Sequence, residues 1–262
     1  MMDLLFYLGL GMVAGTLGGL LGIGGSVIMI PALLFFAPTM SIHVAQAIAM
    51  SVNPAVAVSS AAKHHKNKNV SWNMALKVLP VSILFISIAA WFSNSIDGAW
   101  LEFAFATFLI WVLWDQVACV IGKPLNTSTP ASASILRCGV TGGVTGSMAG
   151  FLGIGGGLIQ VPLLNRLCKL PIKRAIGTSS AIMFVTAIIG ASVKDITLQD
   201  MDHTGFEAIK FACKIIPGAI VGGWLGAKLT RVLPSKAIRI VFALLVVIAS
   251  VKMYTNTIPV LF

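Results

Sequence analysis

The sequence predicts an all-α polytopic integral membrane protein made of two inverted repeats, and three observations lead to that reading. The first is composition. Of 262 residues, 57% are apolar and only 10% charged, with a mean hydropathy of +0.95, whereas soluble domains carry roughly 25% charged residues. The second is the recurrence of apolar runs near twenty residues, the length that crosses a hydrocarbon core of about 30 Å. The third is an internal duplication whose equivalent loops differ in charge.

The apolar runs are 4–21, 44–62, 73–93, 99–121, 135–152, 175–192, 207–229 and 237–254, with shorter runs at 26–37 and 155–167. Nothing between them is long enough for a soluble domain, so any chemistry takes place within the membrane. Met1, Met2 and Asp3 form no basic leader, and the first run is expected to be retained rather than cleaved. The net charge of +10 is scattered through short loops, where basic residues mark the cytoplasmic side; nucleic acid is not needed to explain it. Cys119, Cys138, Cys168 and Cys213 lack the spacing of metal or disulfide pairs and read as reduced packing residues. The membrane runs hold no His/Cys/carboxylate constellation and no Ser-His-Asp arrangement. No catalytic residue, metal or cofactor is therefore expected.

The duplication can be read directly. Residues 11–31 are GMVAGTLGGLLGIGGSVIMIP and residues 142–162 are GGVTGSMAGFLGIGGGLIQVP. At a constant offset, Gly11, Gly15, Gly19, Gly22, Gly24, Gly25 and Pro31 fall on Gly142, Gly146, Gly150, Gly153, Gly155, Gly156 and Pro162. AIAMS at 47–51 then matches AIGTS at 175–179. ALKVLP at 75–80 matches ACKIIP at 212–217, pairing Lys77 with Lys214 and Pro80 with Pro217. The first repeat spans 1–121 and the second 135–262. Between them, 122–134 (GKPLNTSTPASAS) is a polar linker with little means to bury apolar surface.

Loop charge sets the orientation. The segment 63–69 (KHHKNKN) is strongly basic and is placed in the cytoplasm, with His64 and His65 read as solvated. Its counterpart 194–207 carries Asp195, Asp200, Asp202 and Glu207 and is placed outside. The linker (Lys123, then Arg137), 166–174 and 228–239 are basic and fall inside, while 93–98 carries only Asp97 and falls outside. Equivalent loops on opposite faces make the repeat an inverted one. In this trace 135–165 leaves and returns on one face, a hairpin turning at LGIGGG, and 4–37 does the same at LGIGGS. Each half is then a glycine-rich helical hairpin plus three transmembrane helices, about eight to ten membrane segments in all. The short second arms leave open whether they cross fully.

Two features carry candidate chemistry. Gly24, Gly25 and Ser26, and likewise Gly155, Gly156 and Gly157, sit where a short helix begins. Unpaired amides and the positive dipole end make such a point an anion site. The same glycines also suit a tight turn with positive φ, and spacing alone does not separate the two readings. GxxxG at 11–15 and 142–146 reads as close helix approach, within the chain or in a homodimer. Gln46, Ser51, Asn53, Gln160, Thr178, Ser179 and Ser180 can offer hydrogen bonds to a substrate without placing charge in the bilayer. They can equally bond between helices or to their own helix carbonyls. Lys77 and Lys214 are candidates for a charge or coupling role, or for snorkelling to the interface.

GLLGIGGSVIMIP and GFLGIGGGLIQVP, followed by AIAMS and AIGTS, resemble the paired signatures of the sulfite exporter TauE/SafE family, over essentially the whole chain. The resemblance implies a bacterial-type inner-membrane permease that exports sulfur-containing anions such as sulfite or small organosulfonates. It points at Gly24, Gly25, Gly155, Gly156, Ser51, Thr178 and Ser179. The first copy departs from the family pattern, with Ile48-Ala49-Met50 before its serine. The expected mechanism is alternating access, with the anion held between the halves by both GIGG turns and by hydroxyls from 51 and 178–180. Expected partners are the small anion, membrane lipid, and a proton or sodium ion as the driving species. Two rival readings are a passive anion or solute channel, and a membrane-embedded enzyme or accessory protein of sulfur metabolism using Cys138, Cys168 or Cys213.

Overall fold

In lipid a backbone must satisfy its own hydrogen bonds, and this sequence does so with helices. The computed structural model describes residues 2–37, 39–121, 134–202, 204–229, 243–244, 246–251 and 253–255. The first half forms α1 (Met2–Leu21), α2 (Ser26–Phe36), α3 (Ile42–Lys66), α4 (Trp72–Ser93) and α5 (Gly98–Ile121). The second forms α6 (Ile135–Leu152), α7 (Gly157–Arg166), α8 (Ile172–Asp202) and α9 (Gly205–Leu229), with a further helical stretch, Val246–Thr255. Among the described residues α1, α3, α4, α8 and α9 are long and apolar enough to cross a membrane. The linker at 122–133, most of the basic loop 228–239 and the start of the run at 237–254 lie outside the described residues.

The glycine stripes explain how the halves join. On α1, Cβ atoms at Gly11, Gly15 and Gly19 would strike the carbonyls of Ile215, Ala219 and Gly223 on α9. On α6, those at Gly142, Gly146 and Gly150 would strike the carbonyls of Val78, Ser82 and Ile86 on α4. These two sets are equivalent under the repeat that pairs Lys77 with Lys214. Each half therefore lends its first helix to the other half's fourth, and only glycine lets the backbones come so close. In both pairs the residue numbers rise together, so the helices run parallel. The GxxxG faces pack inside the chain.

The centre is α3 against its own counterpart α8. Ser51 meets Asp195, and Ser60 meets Ser180, so the two run antiparallel. They are the most enclosed spans, 61% and 67% buried, against 28–33% for α1, α4 and α9; the latter expose apolar surface outward.

The hairpin question is settled by length. With 11 and 10 residues, α2 and α7 reach only about 15–17 Å, half of a hydrocarbon core. Gly25 and Ser26 lie beside Asn53, roughly half-way along α3. The turn is thus at mid-depth, and α2 returns from it to the start of α3.

Three expectations need correction. α3 continues to Lys66, so the basic loop is shorter than 63–69. His64 is buried at 2% exposure, packed on Gly177, and only His65 is solvated. The acidic loop 194–207 is largely helix: α8 runs to Asp202 and α9 starts at Gly205. Lys194 is fully buried and Asp195 is 8% exposed, because both find polar partners on neighbouring helices.

Candidate functional site

The two GIGG turns meet at the middle of the molecule. A Cβ on Gly157 would lie 2.6 Å from the Gly22 carbonyl and 2.7 Å from Ile23 Cα, so the start of α7 abuts the first turn. Asn53 and Met183, from α3 and α8, fill the space between. A Cβ on Gly24 would sit 2.9 Å from Met183 Sδ and 3.0 Å from Asn53 Oδ1; one on Gly155 would sit 2.5 Å from Asn53 Nδ2. Gly24 and Gly155 have φ of +78° and +70°, which glycine alone adopts without strain. The tight-turn reading is therefore correct for both, and it coexists with helix N-termini aimed at the centre.

Asn53 ties up the first turn. Its Oδ1 accepts from the Gly25 amide at 3.2 Å, and its Nδ2 donates to Ser26 Oγ at 2.6 Å. Of the first-half candidates, Gly25 and Ser26 are thus already engaged by protein. The second turn has a different backbone: Gly156 has φ +83° where Gly25 has −91°. Among the described residues, no side-chain bond like that of Asn53 to Gly25 is made to the start of α7. Gly155 and Gly156 border a small cavity with Ser82, Thr145, Gln160 and Thr186, with room for about one water.

Gln46 adds a second signal on the same side. It is fully buried, packs its Cβ and Cγ against Gly153, and neither amide atom has a hydrogen-bond partner among the described residues. Buried polar atoms are paired in the great majority of cases, and leaving one unpaired costs about 1–3 kcal/mol. The unsatisfied carboxamide of Gln46 is therefore a candidate for hydrogen bonding to a polar ligand.

The remaining sequence candidates divide. Ser179 Oγ lies 3.1 Å from both the Gly22 carbonyl and Gln160 Oε1, which joins Gln160 to the turns. Thr178 accepts from the Ser71 amide at 2.9 Å, and Ser180 bonds to Ser60 and to the Ile176 carbonyl; these two hold the end of the α3–α8 pair. Ser51 is not at the turns, since it donates to Asp195 Oδ2 at 2.8 Å. Lys77 and Lys214 are exposed on the outer faces of α4 and α9, Lys214 over the rings of Phe211 and Tyr7. Sequence reasoning missed Met183, Thr145, Thr186 and Ser82. They fall on the inner faces of helices, a position visible only once those helices are paired.

The sequence profile of the sulfite exporter TauE/SafE family matches residues 7–253. The chain belongs to that family. It is 30% identical to a probable membrane transporter protein of Xylella fastidiosa, over 95% of this chain and 94% of that protein. It is 28% identical to one from Methanocaldococcus jannaschii, over 89% and 88%. The probable membrane transporter protein MamO of Magnetospirillum gryphiswaldense is 26% identical over 95% of this chain, and the chain spans 45% of its length. No solved structure matches the chain. With five helices of spanning length, this TauE/SafE member is a multi-pass membrane protein.

Proposed function

We propose that this protein exports a small sulfur-containing anion, sulfite or an organosulfonate, across the cell inner membrane by alternating access. The observation that carries the reading is the second turn. There the start of α7 and the Gln160–Ser179 pair meet the first turn, while Gln46, beside Gly153, has a carboxamide with no hydrogen-bond partner among the described residues. Backbone amides and neutral side chains can bind several oxygens of a sulfonate at once without burying a cation. The cavity is far smaller than such an anion, so this conformation is closed at the site. Opening requires the turns to separate, and relative rocking of the halves about α3 and α8 does that.

An inverted arrangement is supported by the antiparallel run of α3 against its equivalent α8. Orientation is supported by the clustering of basic segments. Asn69 packs on Gly177, and the Ser71 amide bonds Thr178. This brings Lys63, Lys66 and Lys68 to the same end as Lys169, Lys173 and Arg174. That end, with the 122–134 linker, is cytoplasmic by the positive-inside rule, and the α8–α9 corner is external. The basic end also gathers anions on the side from which they are exported.

Purified protein in detergent, melted against sulfite, alkanesulfonates, carboxylates and phosphate, tests the reading. A ligand of the folded state raises Tm with concentration over affinity. Sulfur oxyanions are expected to raise Tm most, and Gln46→Leu to abolish most of that shift. Equal shifts from all anions, or a shift untouched by Gln46→Leu, would remove the substrate class or the site respectively.

A further inference from the structure

One buried polar cluster is left over by the anion site. At the end of the α3–α8 pair opposite the basic segments, consecutive α8 residues Lys194 and Asp195 are buried and turn to different helices. Lys194 Nζ donates to Ser93 Oγ at 2.8 Å and Asn94 Oδ1 at 2.7 Å, and Asn94 Nδ2 returns a bond to the Lys194 carbonyl at 3.2 Å. The ammonium thereby closes the C-terminus of α4, where a positive charge suits the helix dipole. Asp195 Oδ2 accepts from Ser51 on α3, while its Oδ1 is buried with no hydrogen-bond partner among the described residues. Ionisable groups inside a membrane are costly and rarely idle.

We propose that Asp195 is the proton-coupling site of this transporter, taking up one proton on one side of the membrane in each cycle and releasing it on the other. The inference rests on the transport reading above. Asp195 is placed for the task because its partner Ser51 belongs to the other half, so its charge bears on the bond that closes this end of the α3–α8 pair. The opposite end is held by Ser60 with Ser180 and by Ser71 with Thr178, with His64 buried beside them against Gly177. Protonation of Asp195 therefore acts on the gate at its own end. It also leaves the Lys194 ammonium without a nearby counter-charge, and an uncompensated buried charge drives the site towards water. A metal cation fits less well. It would need several oxygen ligands, and the ammonium already occupies Ser93 Oγ and Asn94 Oδ1. The groups facing Asp195 are Ser51 from α3, Ser93 and Asn94 by way of Lys194 from α4, Gly205 from α9, and Lys194 on α8 itself. Among the described residues, Lys194 is the charged one of that set.

The test uses the full chain in proteoliposomes containing a trapped pH dye, with radiolabelled sulfite and methanesulfonate as probes. Counterflow of either anion by wild type establishes transport; no counterflow overturns that reading and this inference with it. Given counterflow, wild type is expected to move protons in fixed proportion to the anion and in the opposite direction, and anion flux without proton movement overturns the inference alone. Asp195→Asn is expected to lower the ratio of gradient-driven accumulation to counterflow roughly tenfold or more. An unchanged ratio in the folded variant overturns the proposal. Asp195→Glu keeps the acid and alters its reach. It is expected to retain proton movement with a pH profile displaced by roughly half a unit or more, and a profile superimposed on that of wild type also overturns the proposal, even if Asp195→Asn fails to fold.

Discussion

The two GIGG turns began as copies of one sequence and now do different work. In the first, Asn53 supplies both the acceptor for the Gly25 amide and the donor for Ser26, so the turn is bonded to protein. In the second, Ser26 is replaced by Gly157, the backbone at Gly156 flips to positive φ, and among the described residues no side chain bonds the start of α7 as Asn53 bonds Gly25. One side chain accounts for the difference. Asn53 has alanine, Ala181, at its repeat position on α8, and no amide reaches back from there to plug the second turn. On the proposed reading, two copies of the turn offer two potential anion sites, and Asn53 closes one of them.

The largest effects are expected where the turns touch. Gly155→Ala places a Cβ against Asn53 Nδ2 in a left-handed conformation, a cost of about 1–2 kcal/mol for the backbone and about 1–3 kcal/mol for overpacking. Gly24→Ala meets the flexible Met183 Sδ first and should cost about 1 kcal/mol less. Chemical denaturation in detergent compares them; equal losses would mean that the turns are packed alike. Next comes Asn53→Asp. The carboxylate keeps the bond from the Gly25 amide but sets a negative charge between both turns, and at ~6 Å with an effective dielectric of ~20 it repels an anion by about 3 kcal/mol. Affinity for sulfite or sulfonate, measured by titrated Tm shifts, is expected to fall about a hundredfold while the protein stays folded. An undiminished shift would place the anion elsewhere.

How much of this was legible beforehand depends on the kind of information each residue carries. The duplication, the glycine turns and the membrane class are written in local pattern, and AIAMS with AIGTS locates the core pair. The exchange of α1 onto α9 and α6 onto α4 is not local, since Gly11 and Ile215 declare no relation until the helices are paired. Lys194 and Asp195 were misread because charged residues at the end of an apolar run look like a loop. Their burial depends on Ser51, Ser93 and Asn94, which come from the other half. Asn53 is among the polar candidates of the sequence, but only geometry shows that it is bonded to the first turn. Gln46 was visible as a buried amide, and only its lack of partners singles it out.

Two smaller effects sharpen the comparison. Gln46→Leu removes a carboxamide that has no partner here and replaces it with a side chain of similar size. Stability should rise slightly, by up to about 1–3 kcal/mol if no water relieves the amide, while anion affinity falls roughly tenfold. Opposite movement of Tm and ligand shift is what a binding residue gives; a purely packing residue would lower Tm and leave the shift alone. The smallest effect belongs to Ser26→Ala. It deletes the acceptor of the Asn53 Nδ2 bond and should cost about 1 kcal/mol. Because that bond lies in the plugged turn, the anion-induced shift should stay within about twofold of wild type. If Ser26→Ala instead weakened binding as much as Gln46→Leu, both turns would be holding the anion, and the asymmetry centred on Asn53 would be a feature of the empty protein alone.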